Sequence, residues 1–134
     1  NRRKMDKVIE KKEKIHHVLF DKHPDKIIYA QNNRICIHDL TDQQPTFKKY
    51  LHSKRISCIR SLKKRRTIVT SSSDRTVKFW NPQTHEIEFQ VSNMEERIKL
   101  VEYDEELSLL LMVHYNTLSK LNLNLYKEEL SKIS

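Results

Sequence analysis

The chain has 134 residues, 37% of them hydrophobic and 33% charged, and carries a formal net charge of +8. That leaves enough apolar residue for a packed core on the polar side of average, and no run approaches the ~18 apolar residues of a membrane span. No charged-then-apolar leader is evident, so an intracellular location is expected, cytoplasmic or cytoskeletal rather than nuclear. The chain opens on Asn1 rather than Met and is read as a segment of a longer protein. Glycine is absent, so turns that need a positive φ are expected to use Asn, Asp or Ser.

Residues 1–14 form a charged lead-in whose Met5, Val8 and Ile9 fit either a helix or the end strand of a preceding unit. From Ile15 onward the pattern is β. Ile15–Phe20, Lys26–Ala30, Arg34–Leu40 and Thr46–Leu51 are short and β-rich, separated by the turn-forming stretches DKHPD, QNN and TDQQP. Ile56–Leu62, Thr67–Ser71, Thr76–Trp80 and Glu86–Val91 follow, divided by KKRR, SSDR and NPQTH. A third set comprises Ile98–Tyr103, Leu107–Val113 and Leu118–Leu123, and the polar end YKEELSKIS suits a fourth strand or a helical start. Cys36 and Cys58 sit inside apolar segments and read as small buried core residues.

The sets repeat. Ile15, Ile56 and Ile98 open them at spacings of 41 and 42, while Asp39, Asn81 and Asn122 close their third strands at 42 and 41. Four short strands in a period near 41 are what one propeller blade requires. The units are then 15–51, 52–91 and 92–134.

In the middle unit His52 precedes Ile56 by four, Thr70 precedes Asp74 by four, Trp80-Asn81 closes the third strand, and Thr84 follows. On these residues the unit resembles the WD-repeat β-propeller family, which commonly has Thr at the last position. The resemblance implies a structural hydrogen-bond network in which Asp74 accepts from His52, which links through Thr70 to the Trp80 indole. Such a network satisfies buried polar groups in a small unit. Leu51 stands in place of the family's Gly, and Asn81 in place of its Asp. The outer units lack the network: Lys11, Ile28, Asn32 and His38 occupy its positions in the first, and Met94, Leu111, Tyr115 and Leu121 in the third. The fold expected is all-β, about three four-stranded antiparallel blades that belong to a larger propeller, the outer two degenerate.

In such a meander Lys63, Lys64, Arg65 and Arg66 lie on one edge, and Lys54, Arg55, Arg75 and Arg97 on the other. The KKRR run fits a solvated hairpin tip better than an import signal or phosphate contact, since no aromatic flanks it. The second group is the better candidate contact surface. His16, His17, His23, Asp21 and Asp25 invite a metal reading, but adjacent strand histidines point to opposite faces. No metal or cofactor is expected. Glu95-Glu96 and Asp104-Glu105-Glu106 read as solvated turn residues. With no phosphate loop, Cys-His pair or nucleophile elbow, no catalytic residue is assigned.

The function expected is a non-catalytic protein-interaction scaffold within a larger assembly, with a cytoskeletal setting one option. Its partners would be other protein subunits with acidic surfaces, not a membrane or a small-molecule substrate. The alternative is a ribonucleoprotein component whose basic loops contact RNA phosphates.

Overall fold

The computed structural model describes Met5, Lys7 and residues 12–22, 25–40, 45–92 and 94–124. Most of the lead-in, the turn around Pro24 with His23, and the polar tail lie outside the described residues. Eleven strands are described. The first sheet holds β1 (His17–Lys22), β2 (Asp25–Gln31), β3 (Arg34–Asp39) and β4 (Pro45–Tyr50). The second holds β5 (Ile56–Leu62), β6 (Thr67–Ser72), β7 (Val77–Trp80) and β8 (Ile87–Val91). The third has three strands among the described residues: β9 (Leu100–Asp104), β10 (Leu109–Val113) and β11 (Leu118–Asn122). Every pairing is antiparallel between consecutive strands.

The first strands of the sheets, β1, β5 and β9, lie beside one another. The sheets therefore fan out from a shared inner edge as blades do. Two apolar layers hold them together. Ile28, Ala30, Ile35 and Ile37 of the first blade pack against Ile56, Ile59, Ile68 and Trp80 of the second. Cys58, Val69, Val77 and Phe79 on the second blade's other face pack against Val101, Tyr103, Leu110 and Met112 of the third. The alternation of one face inward and one outward follows from the two-residue period of a strand.

Strand β6, TIVTSS, is buried at all six positions because both its faces are covered. In β5 the register shifts between Ile56 and Cys58. Two residues apart in a regular strand would share a face; the bulge instead sends Ile56 to the first blade and Cys58 to the third. Both cysteines are free and buried. Of the three repeated isoleucines, Ile56 and Ile98 are buried, whereas Ile15 is 38% exposed and precedes β1. The third blade's far face leaves Leu100 and Leu118 exposed.

The glycine-free turns depart from expectation. Asn32 and Ser108 take positive φ, but so do Arg66, Arg75 and His85. A left-handed conformation costs an ordinary residue about 1–2 kcal/mol, whereas glycine adopts it freely but loses more entropy on folding. For Arg66→Gly, at an exposed turn with φ of 53°, we expect a net stabilisation of about 0.5–1 kcal/mol, read by urea unfolding.

Candidate functional site

The most connected polar cluster lies at the start of the second blade. His52, in the β4–β5 connection, places Nδ1 2.9 Å from Asp74 Oδ2 and Nε2 2.8 Å from Thr70 Oγ1. A carboxylate can only accept, so Nδ1–H donates to Asp74 and the Thr70 hydroxyl donates to Nε2 of the neutral ring. Asp74 also accepts from the Thr76 hydroxyl at 2.6 Å, the Thr76 N–H at 3.0 Å and the Ser53 N–H at 3.1 Å. Ser72 extends the tie, since its hydroxyl reaches the carbonyls of Lys54 and Arg55, each at 2.9 Å.

Burial pushes the His52 pKa down to about 4, against the opposing pull of Asp74. Burial works in the other sense on Asp74, but the Thr76 hydroxyl, the His52 ring and the Ser53 N–H outweigh it and hold the carboxyl below its ordinary value. A neutral imidazole between a carboxylate and a hydroxyl could resemble a catalytic relay. Here both ring nitrogens are engaged, the His52 side chain is fully buried, and it lines neither of the large recesses at the two edges of the blade. The arrangement ties loops together.

The chain of hydrogen bonds stops at Thr70. Trp80 is buried in the apolar layer facing the first blade, and its Nε1 has no hydrogen-bond partner. In the observed register Thr70 stands opposite Lys78, and Trp80 opposite Ile68. The indole thus belongs to the diagonal neighbour of Thr70, on the same face of the sheet. Lys78 takes the nearer position and donates to the Leu51 carbonyl. Leu51 itself is buried in that layer. Asn81 serves the β7–β8 turn instead. Its Oδ1 accepts from the N–H groups of Gln83 at 2.8 Å and Thr84 at 3.1 Å, which closes that turn.

The charged loops separate by edge. Lys54, Arg75 and Arg97 line one open cavity of about 670 Å³ together with Lys99, Glu95, Glu96 and Tyr115. Lys99 Nζ lies 4.9 Å from the Tyr115 ring centre, and Tyr115 is 81% exposed. Among the described residues Lys54, Arg75 and Arg97 have no ion-pair partner. Arg55 is not part of this basin; its guanidinium lies 3.0 Å from His16 Nδ1.

On the opposite edge the basic turn is split. Lys64 Nζ lies 3.5 Å from Glu106, and the Lys64 N–H donates to Glu105 Oε1 at 3.3 Å. The acidic turn of the third blade therefore lies alongside the basic one, while Asp104 and Glu106 are exposed, as expected of solvated turn residues. Arg66 borders the recess shared with the first blade, Lys63 borders both that recess and the one beside the third blade's acidic turn, and Arg65 borders a smaller cavity beside Phe79 and Tyr103.

Sequence reasoning missed a second histidine tie. His114, in the β10–β11 turn, donates from Nδ1 to the Arg97 carbonyl at 3.2 Å, with Nε2 2.8 Å from Ser119 Oγ. It stands one residue away from Tyr115, the position singled out by the repeat. Among the described residues no three His, Cys, Asp or Glu side chains gather as a metal site.

These features define a class: three successive blades with the fold of a WD40-type β-propeller. The WD40 β-propeller domain of Doa1 superposes with a TM-score of 0.66 at 17% identity, over 79% of this chain and 35% of that one. The β-propeller domain of Cps50 (Swd1) from Myceliophteria thermophila gives 0.71 at 15% identity, over 86% and 37%. The chain thus spans about a third of each propeller domain it resembles. No protein-family model matches it, and no curated protein matches it in sequence.

Proposed function

We propose that these blades are part of a larger propeller that serves as a non-catalytic interaction scaffold. The acidic surface of a protein partner docks on the edge built by Lys54, Arg75, Arg97 and Lys99. The observation that carries this reading is the convergence of four cations from three loops on one open basin. Positive clefts of this kind raise encounter rates with acidic partners and select against basic ones. Glu95 and Glu96 on the same rim would give the partner a register, by accepting its own cations. The exposed Leu100 and Leu118 on the far face of the third blade fit coverage by a further blade, supplied by the parent chain or a neighbour.

One observation favours the RNA alternative. Tyr115, exposed beside Lys99 and Arg97, combines a stacking surface with phosphate-binding charge. Fluorescence anisotropy of the full protein with a labelled polyglutamate peptide and a labelled uridine oligonucleotide separates the two. We expect the peptide to bind, and the variant Lys54→Glu/Arg75→Glu/Arg97→Glu to weaken it by about ten-fold or more. Binding of the oligonucleotide alone, with a steep salt dependence, would transfer the site to RNA.

A further inference from the structure

The basic basin holds more than charge, because an aromatic ring stands in it. Tyr115, in the β10–β11 turn, lines the basin and is 81% exposed. The turn that carries it is tied down at several points. The His114 N–H donates to the Thr117 carbonyl at 2.9 Å. The His114 ring donates from Nδ1 to the Arg97 carbonyl at 3.2 Å, with Nε2 2.8 Å from Ser119 Oγ. The Lys99 N–H donates to the Val113 carbonyl at 2.8 Å. One backbone frame therefore joins the segment bearing Arg97 and Lys99 to the turn bearing Tyr115. A ring presented on such a pre-organised turn loses little further freedom when a partner covers it.

The charges around the ring decide what covers it. Lys99 Nζ sits 4.9 Å from the ring centre, while Lys54, Arg75 and Arg97 have no ion-pair partner among the described residues. Guanidinium groups both bind carboxylates and stack on aromatic planes, so Arg75 and Arg97 extend the surface that a second ring can use. Glu95 and Glu96 border the basin and also an adjoining recess of about 220 Å³ lined by Met94, His114 and Thr117. These two carboxylates oppose a polyanion charged at every unit, but leave room for a peptide whose carboxylates are spaced. We propose that the occupant of the basin is an acidic segment of a protein partner with an aromatic residue among its carboxylates. The partner's ring packs on Tyr115, and the flanking carboxylates meet Lys54, Arg75 and Arg97. The proposal rests on the reading of the basin as a docking site for an acidic protein surface, and adds the side chain that the site selects. An acidic segment without a ring would leave Tyr115 in water, and an RNA strand would bring phosphates against Glu95 and Glu96.

The test uses the full protein and a pair of fluorescein-labelled peptides of alternating Asp and Ser, followed by anisotropy. They differ only at the centre, which is tryptophan in one and serine in the other. The tryptophan peptide is expected to bind the wild type about three- to ten-fold more tightly, the range that an aromatic pair supplies. In Tyr115→Ser that preference should fall below about two-fold while the serine peptide binds as before, and in Tyr115→Phe, which keeps the ring, it should persist. Tyr115 is a surface residue, and unchanged thermal unfolding of both variants will certify the fold. Equal binding of the two peptides by the wild type overturns the inference and leaves the scaffold reading standing, as does a preference that survives Tyr115→Ser. Absence of saturable binding by either peptide overturns both. A labelled uridine oligonucleotide that binds more tightly than either peptide, and loses affinity in Tyr115→Ser, would also overturn it and assign the ring to RNA.

Discussion

Replacing Asp74 by alanine is expected to lower the unfolding free energy by about 3–4 kcal/mol, the largest effect of any single polar substitution in the second blade. The carboxylate is the common acceptor for the His52 ring, the Thr76 hydroxyl and the N–H groups of Thr76 and Ser53. Alanine removes the acceptor they share, and the fully buried His52 ring keeps only the Thr76 hydroxyl, 3.0 Å from Nδ1, on that side. Thr70→Val leaves only the His52 Nε2 acceptor unmatched, so a loss of about 1–2 kcal/mol is expected there. Equilibrium urea unfolding of the two variants gives the comparison; equal losses would mean that Asp74 does not organise the cluster.

Acidification should destabilise the chain in a window set by His52. Its folded pKa is near 4, against an ordinary value of 6.5. Between those values the unfolded chain holds a proton that the folded chain lacks. Stability from this residue is thus fully present above about 6.5 and is lost as pH falls toward about 4, with a total of about 3 kcal/mol. Burial also lowers the values of His16, His17 and His85, and these add in the same direction. Asp74, held below its ordinary 3.8, extends the loss to lower pH as its carboxyl protonates. Stability measured from pH 7.5 to 4 in the wild type and in His52→Asn should differ in slope, with the variant markedly flatter. Parallel curves would assign the acid sensitivity to other groups.

Much of the blade layout is legible in the sequence because short β-branched runs alternate with turn residues. β5 covers Ile56–Leu62 as expected, and the other strands differ from their expected bounds by a residue or two at an end. The first blade opens at His17 rather than Ile15, which is 38% exposed. His52 and Asp74 are both marked by the repeat pattern and lie in contact. What the sequence does not carry is cross-strand register. The register sets Lys78 opposite Thr70 and Trp80 opposite Ile68, and the indole Nε1 has no hydrogen-bond partner. The division of the KKRR turn is equally hidden, since it depends on the acidic turn of the next blade arriving alongside. Positive φ at Arg66 and Arg75 has no signal either, because arginine does not favour it, whereas His85 is of a type enriched there.

The most direct test of the scaffold reading is purification of the full protein from its native source, with and without nuclease. It should be done in parallel with the Lys54→Glu/Arg75→Glu/Arg97→Glu variant. The expected result is a protein partner that remains bound after nuclease, is released by salt, and is missing from the variant. Bound material that falls away with nuclease, or that is retained equally by the variant, would contradict the scaffold reading.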